Sequence, residues 1–181
     1  MSTLTVKELA APTGYDLKIA SGETLDLKSQ GTVTLPTGSI LQVVTATTGT
    51  NTQVTSTSYT DTTLTASITP SSASNKVLIL VSQQCQGERS TNSEFGVYVQ
   101  LLRDATSVNI IEPLSLGAGT DAGGKLGMRT IGAMAHLDSP STTSAITYKT
   151  QGKITTTANS ATCRFQEGGT ESSIVLVEVQ G

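Results

Sequence analysis

The sequence predicts an all-β protein built as a β-sandwich or jelly roll. Ser and Thr make up more than a quarter of the 181 residues, and Thr and Val both favour the pleated strand conformation. Stretches of alternating apolar and polar residues recur about every ten residues, with turn-forming residues between them, which is the spacing of sandwiches and jelly rolls. Only residues 5–10 carry a helical pattern, and Pro12 cuts it short.

We predict that residues 1–38 form an N-terminal anchor and a short β-rich stem that precedes the main domain. Pro36-Thr37-Gly38 marks the boundary, because Pro and Gly punctuate secondary structure. Three strands as short as those in this segment bury too little to fold alone. Identical strands wound together from several chains would supply the burial, and a sheet packed on the main domain of the same chain is the alternative. The alternating stretches lie at 15–19, 24–28 and 32–36.

Residues 39–181 are predicted to form one β-sandwich knob domain. Period-two alternation and the turn residues between the stretches define its strands. The predicted strands are Ile40–Ala46, Gln53–Tyr59, Leu64–Thr69, Lys76–Gln84, Phe95–Arg103, Thr106–Ile111, Met128–Leu137, Ser144–Thr150, Ala161–Glu167 and Ser172–Val179.

Two of these strands contain nearly continuous apolar runs, Val77–Val81 and Ile174–Val177. Such runs suit strands covered on both faces, either in the centre of a sandwich or at a subunit interface. Aromatic residues are only 3% of the chain, so the core rests on Val, Leu, Ile and Ala, a thin supply of large apolar area. We therefore expect a homo-oligomer, and we expect the scarce rings to lie in the core: Phe95, Tyr98, Tyr148 and Phe165.

Charge and hydropathy exclude several classes of partner. The net charge of −3 leaves no basic footprint, which argues against nucleic acid. The sequence contains no run of about 18 consecutive apolar residues, so we expect no membrane insertion. The N-terminus shows no secretory signal pattern, so we expect maturation in a reducing cytoplasm. Cys85 and Cys163 are then expected to be buried free thiols, and the sequence leaves open whether they lie near each other.

No residue pattern indicates an enzyme. Gly119–Lys125 has the glycine-to-lysine spacing of a phosphate-binding loop, but Leu126 stands where that loop needs Ser or Thr, and no helix pattern follows. His136 and Asp138 share one face of a strand, yet a metal site wants more ligands than one His and two distant Cys. A polysaccharide hydrolase would need paired carboxylates about 5–10 Å apart, which nothing in the sequence places. We predict no catalytic, cofactor-binding or metal-binding residues.

Polar loops are the candidates for contact with a partner, because loops on a rigid scaffold commonly carry binding. Glu88, Arg89 and Glu94, and also Arg103 and Asp104 at a turn, are expected to be solvated loop charges. The alternative is a rim that contacts a sugar or a neighbouring subunit. The loops considered are 88–94, 117–125 and 139–143.

Parts of the chain resemble a known group of proteins, the fibre and knob proteins on the surface of bacteriophage particles, marine phages especially. The stretches that carry the resemblance are Ser39–Val44, Tyr59–Asp61, Leu64–Leu80, His136–Lys149 and Ser173–Val179.

The resemblance implies a non-enzymatic virion protein, made in the host cytoplasm, that is trimeric and contacts other virion proteins on the capsid or tail through residues 1–38. The long shaft of a host-recognition fibre is absent from this sequence, which favours a short fibre, spike or capsid decoration protein. The alternative is a receptor-binding module of the tail that recognises a host surface glycan through the knob loops.

Overall fold

The structure is a computed structural model that describes residues 35–91, 93–117 and 126–181, together with Thr13 and Ser21. The chain divides into two compact units, Met1–Leu35 and Pro36–Gly181, and the description below concerns the second. The stem and anchor predicted for residues 1–38, and the helical pattern at 5–10, fall almost wholly outside the described residues and stay predictions.

Strands dominate the second unit. None of the helices in the described residues is long and apolar enough to cross a lipid bilayer. Short 3₁₀ turns occur at Ala158–Ser160 and Glu167–Gly169. The strands are β1 (Ile40–Thr48), β2 (Thr52–Val54), β3 (Thr60–Ile68), β4 (Lys76–Arg89), β5 (Phe95–Arg103), β6 (Thr106–Leu116), β7 (Leu126–Asp138), β8 (Ile146–Ile154), β9 (Thr162–Phe165) and β10 (Ser172–Val179).

The strands form two antiparallel sheets. In sheet A, β4 pairs with β7 along one edge. Along its other edge β4 pairs first with β10 and then with β9. β1 lies outside β10, and β2 lies outside β9. Sheet B has the order β3-β8-β5-β6. The pairing is nested, since β1 pairs with β10, β3 with β8, β4 with β7 and β5 with β6. Nested pairing of eight main strands in two sheets is the winding of a jelly roll, which confirms the predicted fold class.

Strand alternation builds one core between the sheets. Along β4, the odd-numbered residues from Val77 to Arg89 face inward and the even-numbered residues face outward. Val, Leu and Ile from both sheets fill most of the interior. Three of the four scarce rings lie there as predicted, because Phe95, Tyr148 and Phe165 are at most 2% exposed.

Buried hydrogen bonds also join the two sheets. Thr150 of sheet B donates its hydroxyl to Gln83 Oε1 of sheet A at 2.7 Å, and Gln83 Nε2 donates to Ser172 Oγ at 2.9 Å. The hydroxyls of Thr62 and Thr150 lie 2.5 Å apart. Because these buried polar groups hydrogen-bond with one another, the cluster fixes the relative position of the two sheets.

Several predicted strand ends are wrong. The strand predicted for Gln53–Tyr59 ends at Val54, because the Ser56 hydroxyl accepts a hydrogen bond from the Ser58 amide and turns the chain. Conversely, β4, β6 and β8 run past their predicted ends. Gly87 and Gly152 lie inside strands, where an added Cβ would come within 2.3 Å of Leu114 and 2.2 Å of Phe165, respectively. These glycines make room for core side chains and do not mark turns.

Candidate interaction surfaces

The outer face of sheet A is apolar where β1, β10, β4 and β7 lie side by side. Strand alternation turns its residues away from the core, and two rows of paired residues cross it, with Thr45 as their only polar member. Ile40, which pairs with Val179, extends the surface below these rows. We call this surface the apolar face. Its rows are Val43–Val177–Leu78–Leu137 and Thr45–Val175–Leu80–Ala135.

The apolar face is exposed, and together with the rest of the outer side of sheet A it reaches the size of a protein interface. The exposed fractions are 64% for Ile40, 54% for Val43, 42% for Leu80 and 52% for Leu137. Strand spacing and rise give the apolar face about 400 Å², and the outer side of sheet A as far as Arg89 about 800 Å². Apolar patches of several hundred Å² mark interaction sites, and about 800 Å² is what one partner buries in a standard interface.

The apolar runs are therefore covered on one face only. Ile79 and Leu176 are completely buried in the core, whereas Leu80, next to Ile79, is 42% exposed. The described residues contain no layer outside sheet A, so they do not cover the outer face of Val77–Val81. The subunit interface stays as the prediction for this strand.

The outer face of sheet B is polar and internally hydrogen-bonded. Gln100 Nε2 donates to Gln151 Oε1 at 2.7 Å, and Gln151 Nε2 donates to Asp61 Oδ1 at 2.6 Å. Lys149 Nζ lies 3.0 Å from Asp61 Oδ1. The hydrogen bond from Gln151, together with Lys149, outweighs desolvation and holds the pKa of Asp61 below its ordinary value. The polar groups on this face bond one another, and Ile110, which pairs with Gln100, is its large exposed apolar residue at 51%. The face therefore offers less apolar area than the apolar face of sheet A.

An aromatic cluster interrupts the polar surface of sheet B. The Lys153 ammonium lies 4.8 Å from the ring centre of Tyr59 and 5.5 Å from that of Tyr98, within the range of a cation–π contact. Tyr98 was predicted to lie in the core, and this is wrong. It alternates outward between Val97 and Val99, which are both fully buried.

The three candidate loops do not meet at one site. β7 pairs with β4 from Leu126, opposite Arg89, to Asp138, opposite Val77. Arg89, Gly117 and Leu126 therefore lie at one end of the sandwich, and the loop 139–143 lies at the other, about 40 Å away. Glycan binding through these loops stays a prediction, and the loops at the two ends could not contact one sugar together. Asn92 and residues 118–125 lie outside the described residues.

Glu88 and Arg89 are the last two residues of β4 and are not loop charges. Glu88 accepts a hydrogen bond from Gln86 Nε2 at 2.6 Å and pairs with Arg164 Nη1 at 2.9 Å. Arg89 faces inward and is only 4% exposed. The prediction of solvated charges is wrong for both, because the strand continues through Gly87. Glu94 and Asp104 are exposed, as expected. The expectation is wrong for Arg103, because it is the last residue of β5 and pairs with Asp138 at 2.8 Å.

His136 and Asp138 lie on the same side of β7, as alternation predicted, but the hydrogen bonds of Asp138 go to other residues. Its carboxylate lies 2.8 Å from Arg103 Nη1 and accepts hydrogen bonds from the Tyr148 hydroxyl at 2.7 Å and the Ser139 amide at 2.9 Å. Burial, and then the bond to Asp138, raise the pKa of Tyr148. The cluster closes the Val77 end of the core.

The remaining candidates are the phosphate-loop spacing, a metal site and the two cysteines, and only part of them lies in the described residues. Gly119–Lys125 lies outside them. Among the described residues, no group of three His, Cys, Asp or Glu side chains could hold a metal ion. Cys85 and Cys163 are buried with free thiols and lie near each other on the paired strands β4 and β9. The hydrogen bond with Cys85, and then burial, raise the pKa of Cys163.

Comparisons with known proteins identify no family. No family description and no curated protein matches the chain, so the resemblance to phage fibre proteins stays a prediction. Similar solved structures include the T13 IBDV viral particle (12% identity, TM-score 0.33, 87% of this chain and 42% of that chain). Another is the structure of infectious bursal disease virus strain Gx (11% identity, TM-score 0.31, 87% of this chain and 44% of that chain). A third is the VP2 subviral particle of infectious bursal disease virus (11% identity, TM-score 0.31, 88% of this chain and 42% of that chain).

This chain spans less than half of the length of each of those structures. TM-scores near 0.3 and identities near 12% are too low to carry an argument about function. We therefore base the function on the surfaces of the chain itself.

Proposed function

We propose that the protein is a non-enzymatic structural component of a virus particle whose copies associate through the apolar face. In finer detail, we propose a short trimeric fibre, spike or decoration protein of a bacteriophage. It would be made in the host cytoplasm and attached to the capsid or tail through residues 1–38.

The apolar face is the observation that carries this proposal. Covering about 400 Å² of apolar surface on each copy contributes roughly 10 kcal/mol per copy, which is enough to offset much of the cost of association. The face carries no ion pair that would select a charged partner. A second copy offers an apolar surface of the same size and strand spacing, so we take another copy of this chain as the occupant.

The assembly geometry follows from how the faces meet. Two apolar faces packed directly on each other form a closed dimer, because the same patch serves both copies. Three apolar faces turned toward a threefold axis each contact two neighbours, as a trimeric fibre requires. The mass of the assembly in solution distinguishes the two arrangements.

We expect the full chain to sediment at two or three times its 18.7 kDa mass at about 10 μM. A variant with both Leu80→Glu and Leu137→Glu should sediment at the mass of one chain. Burying two unpaired carboxylates costs several kcal/mol, which corresponds to at least a 100-fold weaker association. Sedimentation equilibrium of both proteins measures this.

The matched control carries the same added charge on the other sheet. Ser67 and Ser107 are exposed residues of β3 and β6, and the variant with Ser67→Glu and Ser107→Glu should assemble like the original chain. A chain that stays monomeric at 10 μM and above would contradict the proposal. So would equal assembly of the two charged variants.

Receptor recognition is the second candidate function, and the aromatic cluster on sheet B favours it. Tyr59 and Tyr98 lie around the Lys153 ammonium on the outer face of sheet B, and the strand register places the pair Gln100 and Gln151 one row away from the pair Tyr98 and Lys153. Rings stack on the apolar side of a sugar, while amides bind its hydroxyls. The surface glycan of a host cell is the partner that this chemistry fits.

Binding to a glycan array tests this candidate. We expect a variant with both Tyr59→Ala and Tyr98→Ala to bind its glycan about tenfold more weakly, because each ring contact contributes about 0.5–1.5 kcal/mol. The control is Ser67→Ala on the same face, which should bind normally. Equal glycan binding by the double variant would exclude the aromatic cluster as the site.

A further inference from the structure

Strand β3 carries a bulge at the edge of sheet B. Asp61 pairs with Gln151, and Thr65 pairs with Lys149. Three residues of β3 therefore stand opposite one residue of β8, Thr150, so β3 has two extra residues at this point. Extra residues of this kind bend the strand and redirect its side chains. The bulge is the place where the outer surface of sheet B departs from regular alternation.

Thr63, in the middle of the bulge, has a strained backbone. Its φ angle is 68°, in the left-handed region that a β-branched residue rarely adopts. The surrounding structure holds this conformation, because the Thr63 hydroxyl lies 3.0 Å from the hydroxyl of Thr48 in β1. Glycine would adopt the same backbone without strain. A threonine at this position therefore points to a role for its side chain.

A cavity of about 220 Å³ opens beside the bulge. Its residues all belong to β3 or β8. The polar side chains of Asp61, Thr63 and Thr65 are exposed, and Lys149 is partly exposed, so a ligand in solution can reach them. We call this cavity the bulge cavity. It is lined by Asp61, Thr63, Leu64, Thr65, Lys149 and Thr150.

The charged groups of the bulge cavity neutralise each other and combine donors with acceptors. Lys149 Nζ lies 3.0 Å from Oδ1 and 3.1 Å from Oδ2 of Asp61. The hydrogen bond from Gln151 lowers the pKa of Asp61, so this carboxylate is charged at neutral pH. A carboxylate accepts about four hydrogen bonds and an ammonium donates three. Both groups therefore retain capacity for a ligand beside their contact with each other.

This set of groups selects a neutral ligand with several hydroxyls. An anion would meet the Asp61 carboxylate and a cation would meet the Lys149 ammonium, and contact between like charges is unfavourable. A hydroxyl both donates and accepts hydrogen bonds, so two adjacent hydroxyls can bind the carboxylate and the ammonium together. Thr63 and Thr65 add two further hydroxyls. A neutral sugar has this chemistry.

We propose that the bulge cavity binds one unit of a neutral sugar. The inference rests on receptor recognition, the second candidate function above, and adds a contact point that the aromatic cluster does not include. Lys149 and Lys153 lie on the same side of β8, four residues apart, which places the cavity about 13 Å from the aromatic cluster. A glycan that occupies both places is therefore an oligosaccharide.

Two-dimensional NMR of the isotope-labelled full chain tests the proposal, with glucose, galactose and mannose as separate probes. We expect at least one of them to shift the amide signals of residues 61–65 saturably. Asp61→Asn keeps the shape of the side chain but removes its charge, and should bind that sugar about tenfold more weakly, since hydrogen bonds to charged groups are the stronger ones. Asp104→Asn is the matched control, because Asp104 is exposed in the turn between β5 and β6, outside the cavity. It should bind the sugar like the original chain.

Thr63→Gly separates a binding role from a folding role. Glycine relieves the backbone strain, so this variant should unfold at the same temperature as the original chain or higher. It should bind the sugar roughly threefold more weakly, because one hydroxyl is lost. A lower melting temperature together with unchanged sugar binding would assign Thr63 to folding alone and overturn the proposal.

Charged sugars and the aromatic variant complete the test. Glucosamine, a cation, and glucuronate, an anion, should each bind more weakly than the neutral probe. The variant with Tyr59→Ala and Tyr98→Ala should keep the sugar-induced shifts at residues 61–65, because its rings lie outside the cavity. A chain that binds free sugar there but no glycan on an array would contradict receptor recognition and retain the site. Absence of saturable shifts with all three neutral sugars, or tighter binding of glucuronate, would overturn the site.

Discussion

Replacement of Glu178 by alanine is expected to destabilise the fold by about 3 kcal/mol or more. Glu178 is completely buried. Its Oε1 accepts hydrogen bonds from the Ser71 amide at 2.7 Å, the Ser71 hydroxyl at 2.8 Å and Asn75 Nδ2 at 2.6 Å, and its Oε2 accepts one from Gln42 at 2.5 Å. Alanine would leave these donors without an acceptor. Urea unfolding at pH 7 measures the loss.

The same carboxylate makes stability depend on acid pH. Burial raises the pKa of Glu178, but hydrogen bonds from Asn75, Gln42 and Ser71 outweigh it, so the pKa lies below its ordinary value of 4.5. A group whose pKa is lower in the folded state stabilises the fold fully above its unfolded pKa. That contribution is lost as the pH falls through the folded pKa. The stabilisation by Glu178 is therefore present at neutral pH and decreases below about pH 4.5.

Glu178→Gln isolates this effect, because it keeps the shape of the side chain but cannot ionise. The amide N–H groups of the new glutamine would also face the donors of Ser71, Asn75 and Gln42. We expect the difference in unfolding free energy between the original chain and Glu178→Gln to be largest near pH 7 and to shrink below pH 4.5. The exposed Glu171→Gln should change stability by less than about 0.5 kcal/mol. A Glu178→Gln difference that is the same at pH 7 and pH 3 would show that the carboxylate charge contributes nothing.

Local sequence patterns were sufficient for the fold class and for some strands. The predicted bounds of β5, Phe95–Arg103, and of β10, Ser172–Val179, match the structure at both ends. Both strands have apolar residues at the centre of their inner side and are bounded by polar residues, Glu94 and Asp104 for β5 and Glu171 and Gln180 for β10. The nested order of the strands was not predicted, because it depends on pairings such as Val43 with Val177 that are remote in the chain.

The buried polar residues were missed for the same reason. Glu178 hydrogen-bonds with residues 103 to 136 positions away, so nothing beside it in the sequence indicates an acceptor site. Arg89 was expected to be a loop charge because the strand was predicted to end at Gln84, whereas β4 continues to Arg89. The apolar run at Val77–Val81 did indicate an interface, but alternation alone could not show that its outer residues lack a covering layer.

Replacement of Gly152 by alanine is expected to destabilise the fold by about 1–3 kcal/mol. Gly152 faces the core from β8, and a Cβ there would lie 2.2 Å from Phe165 Cζ and 2.4 Å from Cε2. Phe165 is completely buried, so its ring cannot withdraw into solvent. Alanine loses less chain entropy than glycine on folding, a gain of about 0.5–1 kcal/mol. The steric clash exceeds this gain, and urea unfolding should show a net loss.

A double-mutant cycle with Phe165→Leu tests whether the ring is the cause. Leucine removes the far end of the ring, so Gly152→Ala should cost at least about 1 kcal/mol less in that background. Gly127→Ala is the matched control in β7, where the new Cβ would lie 3.5 Å from Glu88 Cγ, an ordinary contact, and should be neutral or slightly stabilising. Additive effects of Gly152→Ala and Phe165→Leu would place the cost in the backbone. Coupled effects would show that this glycine is required inside a strand because a ring from the opposite sheet occupies the space of its side chain.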